Sequence, residues 1–132
     1  MRCLLDTCTF IWDLTERKRL SRRARKAIDD AAVREELHLS VISCWEVAKL
    51  VEKGRLRLEL PVRDWIERGL TRSGLTLLPL SPAIAVESTE LPGEMSLDPA
   101  DQMIVATARH HSLAVVTPDA RIVEYDGVRS VW

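Results

Sequence analysis

The sequence is poor in the residues that staple small domains or build soft metal sites. Cys3, Cys8 and Cys44 are its only cysteines, an odd number without C-x-x-C spacing. That argues against a disulfide framework or a thiolate zinc site, and for reduced thiols in a cytoplasm, packed as small apolar residues. The three histidines offer no more. His38 stands alone and reads as a partly exposed strand residue, while the adjacent His110 and His111 face different ways and cannot form an i, i+4 ligand pair. They suit the negative end of a helix dipole better. No apolar run approaches the roughly 18 residues that a membrane span needs. Asp6 breaks the N-terminal apolar run almost at once, so no secretory signal is expected. Repeats and low-complexity segments are also missing. What remains is a globular composition, 46% hydrophobic with 30% charged residues, expected to fold as one domain over residues 1–132 and to bury roughly two thirds of its unfolded surface.

The charges nearly cancel in total but are unevenly placed. The net charge is −1, yet residues 17–26 hold 7 of the 19 basic residues and no acid, leaving 12 against 20 acidic residues elsewhere, a net of −8. Such a split suits an anionic polymer gripped by Arg17, Lys18, Arg19, Arg22, Arg23, Arg25 and Lys26 and worked on by an acidic site through a metal. The same run also fits the solvated face of a helix.

The apolar pattern alternates strands with helices. Cys3-Leu4-Leu5 reads as a doubly buried strand with Asp6-Thr7 at its carboxyl end. Thr7 or Thr9 is expected to cap a helix through Leu14, and Ser21 the next one, whose inward stripe is Ala24, Ile28, Ala31 and Ala32. A short strand at 37–39 leads to a helix over residues 40–54, capped by Ser40 or Ser43 and closed by Gly54. Pro61 opens a helix that ends near Ser73-Gly74. A strand over 75–80, broken by Pro79, precedes a short helix at Ser81-Pro82. Asp98-Pro99 then starts a helix ending near His110-His111, followed by a central strand at 113–116 and a last one at 128–132. This order predicts a three-layer α/β/α fold on a mostly parallel sheet.

Ligand sites in such sheets gather at the carboxyl ends of the strands. Asp6 and Asp119 occupy such ends, and Asp101 lies in the first turn of a helix facing the same edge. Glu46 has Ile42 and Leu50 four residues to either side, so its carboxylate projects along an apolar line, where it needs a cation, a donor or a proton. Lys49 at i+3 is one such partner. Two carboxylates about 5 Å apart repel by roughly 3 kcal/mol at an effective dielectric near 20. A divalent ion bound by Asp6, Glu46, Asp101 and Asp119 would offset this, and an all-oxygen set selects Mg²⁺, with Mn²⁺ as substitute. Asp98 is fully explained as a helix cap, although it stands three residues from Asp101.

Asp6-Thr7, Glu46 after Ser40 and Ser43, Asp98-Pro-Ala-Asp101-Gln-Met-Ile-Val-Ala-Thr-Ala, Val-Val-Thr117-Pro-Asp119 and the final Tyr125-Asp-Gly-Val-Arg-Ser-Val-Trp132 together resemble the PIN-domain ribonucleases, in particular VapC-type toxins of toxin–antitoxin pairs. The likeness covers nearly the whole chain. It implies Mg²⁺-dependent cleavage of RNA by water, with Asp6, Glu46, Asp101 and Asp119 as catalytic and metal-binding acids. Thr117, Thr7 and Asp98 would support them. It also implies an antitoxin partner and a homodimer, with Trp45 and Trp65 as anchors wherever they are exposed. Gln102 departs from the arginine often found there in this subgroup. A catalytically silent RNA- or protein-binding module of the same fold is the alternative, since it would keep the basic run without needing the acids.

Overall fold

Three very short, wholly buried segments set the architecture. In the computed structural model, which describes residues 1–94 and 96–132, β1 (Cys3–Leu5), β2 (Leu37–Ser40) and β4 (Ala114–Val116) show no exposed residue. Strands without a polar face must be covered on both sides. They are joined by β3 (Leu75–Leu78) and β5 (Ser130–Val131) in the order β3-β2-β1-β4-β5, and every pairing is parallel.

Alternate side chains of this sheet feed two separate cores. Cys3, Leu5, Leu37, Leu39 and Val116 pack with Phe10 and Ile11 of α1 (Thr7–Thr15), with Ala24, Ile28 and Ala31 of α2 (Arg22–Val33), and with Val47 of α3 (Val41–Glu52). Leu4 and Val115 point the other way, onto Ile104, Val105 and Ala108 of α6 (Pro99–His111) and Ile122 of α7 (Ala120–Val123). This is the three-layer α/β/α arrangement. α4 (Val62–Gly69) adds Val62, Trp65 and Ile66 to the first core, and α5 (Pro82–Glu87) packs beside α6. No helix among the described residues is long and apolar enough to cross a membrane.

Ser21, Ser40, Ser81 and Asp98 cap α2, α3, α5 and α6 through side-chain acceptors, as their positions predict. Several boundaries differ from expectation. Asp6 caps α1, accepting from the Thr9 N–H at 2.8 Å, in place of Thr7 or Thr9. The hydroxyl of Thr7 is committed instead to Ser43 and Glu46. α4 stops at Gly69, where the Thr71 hydroxyl closes the last turn onto the Arg68 carbonyl at 2.6 Å. Gly74 then turns the chain into β3 at φ +78, against the carbonyl of Ala32. β3 ends before Pro79, which lacks the N–H a ladder requires. His38 is buried, not partly exposed, and its Nδ1 lies 3.2 Å from the Cys3 carbonyl.

Candidate metal centre

Every acid singled out from the sequence sits where the chain passes from the sheet into a helix, or on the helix beside that edge. Asp6 follows β1 directly, Asp119 is three residues beyond β4 and caps α7, and Asp98 and Asp101 occupy the cap and first turn of α6. Glu46 lies in the middle of α3. Together they line one open cavity of about 420 Å³, with Thr7, Cys8, Leu50, Pro118 and Arg121 completing its wall.

Each buried carboxylate there is held by donors the fold supplies. One oxygen of Asp6 caps α1 and also meets the Cys8 thiol at 3.3 Å, and the other accepts from Thr117 Oγ1. Thr117 in turn accepts from the Asp119 N–H at 3.0 Å, tying the two strand ends together. Thr7 donates to Glu46. Lys49 pairs with Glu52 at 2.8 Å instead, so the ion-pair explanation of Glu46 fails.

Burial raises the Asp6 carboxyl above its ordinary pKa despite those hydrogen bonds. Glu46 is raised for the same reason, with the charges of Asp98 and Asp6 adding to it. Asp101 goes furthest. Burial, followed by the charges of Asp98, Glu46 and Asp119, pushes it up to about 7, while Arg121 opposes the rise. Asp119 is lowered, chiefly by hydrogen bonding to Arg121.

The donor set fits a hard divalent ion: carboxylate oxygens from four elements at one mouth, with one thiol at its edge. It is not drawn closed. Among the described residues no three His, Cys, Asp or Glu side chains converge closely enough to hold an ion as they stand.

Arg121 also lines the cavity, and no motif in the sequence points to it. It sits on the four-residue α7, too short to leave a periodic signal, and its only trace was a position two residues after Asp119. Cys8 was expected only to pack, yet it lines the cavity. Conversely, none of Arg17, Lys18, Arg19, Arg22, Arg23, Arg25 and Lys26 lines it. Arg17 is spent on Asp13 and Asp29, Lys26 on Asp30, and Arg19 lies over the Trp12 ring. Of the two tryptophans considered as anchors, Trp45 is 54% exposed whereas Trp65 packs edge-on against Phe10.

The profile of the PIN domain matches residues 3–128. The chain belongs to the PIN-domain family. This PIN domain is 34% identical over 131 residues to "Ribonuclease VapC22" of Mycobacterium tuberculosis, an alignment spanning 98% of this chain and 97% of the relative. Among solved structures, its fold is similar to that of the DNA-bound VapBC from Salmonella typhimurium, with a TM-score of 0.71 at 23% identity, covering 98% and 96% of the two chains. FitAcB from Neisseria gonorrhoeae is 26% identical with a TM-score of 0.63, covering 97% of this chain and 95% of that one.

Proposed function

We propose that this PIN domain is a Mg²⁺-dependent endoribonuclease and the toxin half of a toxin–antitoxin pair, acting in the cytoplasm as a single domain. The observation that carries this reading is the one cavity that Asp6, Glu46, Asp101 and Asp119 all line, three of them raised in pKa. The whole-length likeness to a ribonuclease supports the substrate class. These four acids would hold Mg²⁺ or Mn²⁺, which when bound supplies a Lewis acid for phosphate oxygens and lowers the pKa of a water.

The remaining roles belong to the chain itself. Thr117 and Thr7 fix the rotamers of Asp6 and Glu46, so that the carboxylates are aimed before RNA arrives. Asp98 caps α6 through the Asp101 N–H at 2.9 Å and thereby sets where Asp101 stands. Lys18, Arg22, Arg23 and Arg25, which have no ion pair among the described residues, would hold flanking phosphates, with Arg17, Arg19 and Lys26 beside them. Trp45, apolar and exposed on α3 next to Glu46, is the anchor we assign to the antitoxin, and a second copy of the chain completes the assembly.

The test is RNA cleavage by wild type, Asp6→Asn and Asp101→Asn, each with Mg²⁺ and with EDTA. Cleavage by the wild type with Mg²⁺ alone, lost in both variants, is expected. Equal cleavage by all three proteins, or cleavage that survives EDTA, would overturn the metal reading. RNA that is bound but never cut would favour the silent module.

A further inference from the structure

The cavity carries a positive charge of its own. Arg121 Nη2 lies 2.9 Å from Asp119 Oδ2 and 3.1 Å from Asp101 Oδ2, and its Nε is 3.2 Å from Asp119 Oδ1. The contact with Asp119 is local, two residues along the chain. The contact with Asp101 is not: it spans 20 residues and joins α7 to α6. A planar guanidinium suits such bridging, since its fork can serve two carboxylates at once. Its side chain is 49% exposed, while that of Asp101 is only 14% exposed. The cation therefore reaches in from the rim and is cheap to displace, because an ion pair so open to water contributes little net energy.

We propose that Arg121 is an internal counter-cation of the acidic cavity, which competes with the divalent ion for Asp101 and Asp119 and swings to the rim when that ion enters. The inference rests on the metal reading above and goes beyond it. A carboxylate oxygen that ligates an ion cannot keep a full charge-assisted bond to the guanidinium, and the two cations repel. Oδ1 of Asp119 stays committed to the Arg121 N–H at 2.9 Å, so Oδ2, the atom Nη2 holds, is the one to be exchanged. A guanidinium set free beside the site lacks an anion, and a phosphate of the RNA is the group its fork matches. Arg121 would thus protect the metal-free site from its own repulsion and then become a positioning residue for substrate.

The sign of the effect separates this role from that of a clamp. Loss of a structural clamp loosens the acids and weakens ion binding, whereas loss of a competitor tightens it. Mn²⁺ binding, followed by the electron paramagnetic resonance of the free ion without RNA, reads this directly for wild type, Arg121→Gln and Arg121→Lys. Arg121→Gln should tighten Mn²⁺ binding roughly fivefold, the size expected for losing a half-exposed pair. Arg121→Lys, which keeps the charge without the fork and preserves the fold best, should tighten it by less. Binding by Arg121→Gln that equals or falls below wild type, with wild type still binding, overturns the proposal alone. A wild type that takes up no Mn²⁺ overturns the metal reading and the proposal with it.

Discussion

Replacing Asp101 by Asn should stabilise the metal-free protein at alkaline pH, even though it removes a proposed metal ligand. Burial and the neighbouring charges of Asp98, Glu46 and Asp119 raise the carboxyl of Asp101 from 3.8 to about 7. A raised folded-state pKa means that the native protein binds this proton more tightly than the unfolded chain. Stability therefore falls as pH climbs from about 4 to 7, and the full penalty is present above that. The rise corresponds to ~4 kcal/mol at most, and solvent access at the cavity mouth reduces it to about 1–3 kcal/mol. Against this stands the loss of a negative charge in the first turn of α6, which costs about 0.3–1 kcal/mol. Arg121 loses little, since the Asn carbonyl still accepts from it. Relief of the buried charge outweighs the lost dipole contact, so Asp101→Asn should melt a few degrees above wild type at pH 8 in EDTA. At pH 4, where Asp101 already holds its proton, the two should melt together. Thermal unfolding by circular dichroism at both pH values reads the difference. A variant that melts at or below wild type at pH 8, or an advantage that persists undiminished at pH 4, would show that the Asp101 charge is not what destabilises the metal-free protein.

Thr117→Val keeps shape but strips the hydroxyl that donates to Asp6 and accepts from the Asp119 N–H. It should cost about 2 kcal/mol in urea denaturation and leave Asp6 protonated to higher pH. An unchanged midpoint would contradict the link between the strand ends. Arg72→Met strands the buried Asp13, to which Arg72 Nε donates at 2.6 Å, with only the half-exposed Arg17 left to it. A loss of about 3 kcal/mol is expected, and a loss under about 1 kcal/mol would show that Arg17 alone suffices. Gly74→Ala would place a methyl 2.1 Å from the Ala32 carbonyl at a positive φ. It should lower stability by more than about 2 kcal/mol, and a neutral outcome would mean that the entry to β3 shifts freely.

The layers were legible because the strands are uniformly apolar and the helices carry their caps in the expected places. The buried run at β4 and the serines before α2, α3 and α5 left few alternatives. That these acids line one edge of the sheet was legible too, since Asp6 and Asp119 stand where a parallel sheet gathers its ligands. One criterion for sorting those acids fails. Helix capping explains Asp98, yet Asp6 and Asp119 cap α1 and α7 just as fully and still line the cavity. A carboxylate has a second oxygen to offer once its first is spent on a cap. Arg121 stayed hidden for a different reason, since its contact with Asp101 depends on how α6 and α7 meet, which no local pattern encodes. The basic run shows the reverse. Its composition marked it as one surface, whereas Arg17 and Lys26 are in part consumed by the acids of the helices around them.

In the proposed reaction, water activated at the acidic cavity attacks the phosphodiester of RNA. Cleavage in water enriched in heavy oxygen, followed by mass spectrometry of the product ends, tests it most directly. Hydrolysis at this site predicts linear phosphate ends that carry one solvent oxygen, formed with Mg²⁺ and lost in Asp6→Asn and Asp101→Asn. Ends closed as 2′,3′-cyclic phosphates without solvent oxygen would mean that the 2′-hydroxyl of the RNA, and not water, is the nucleophile.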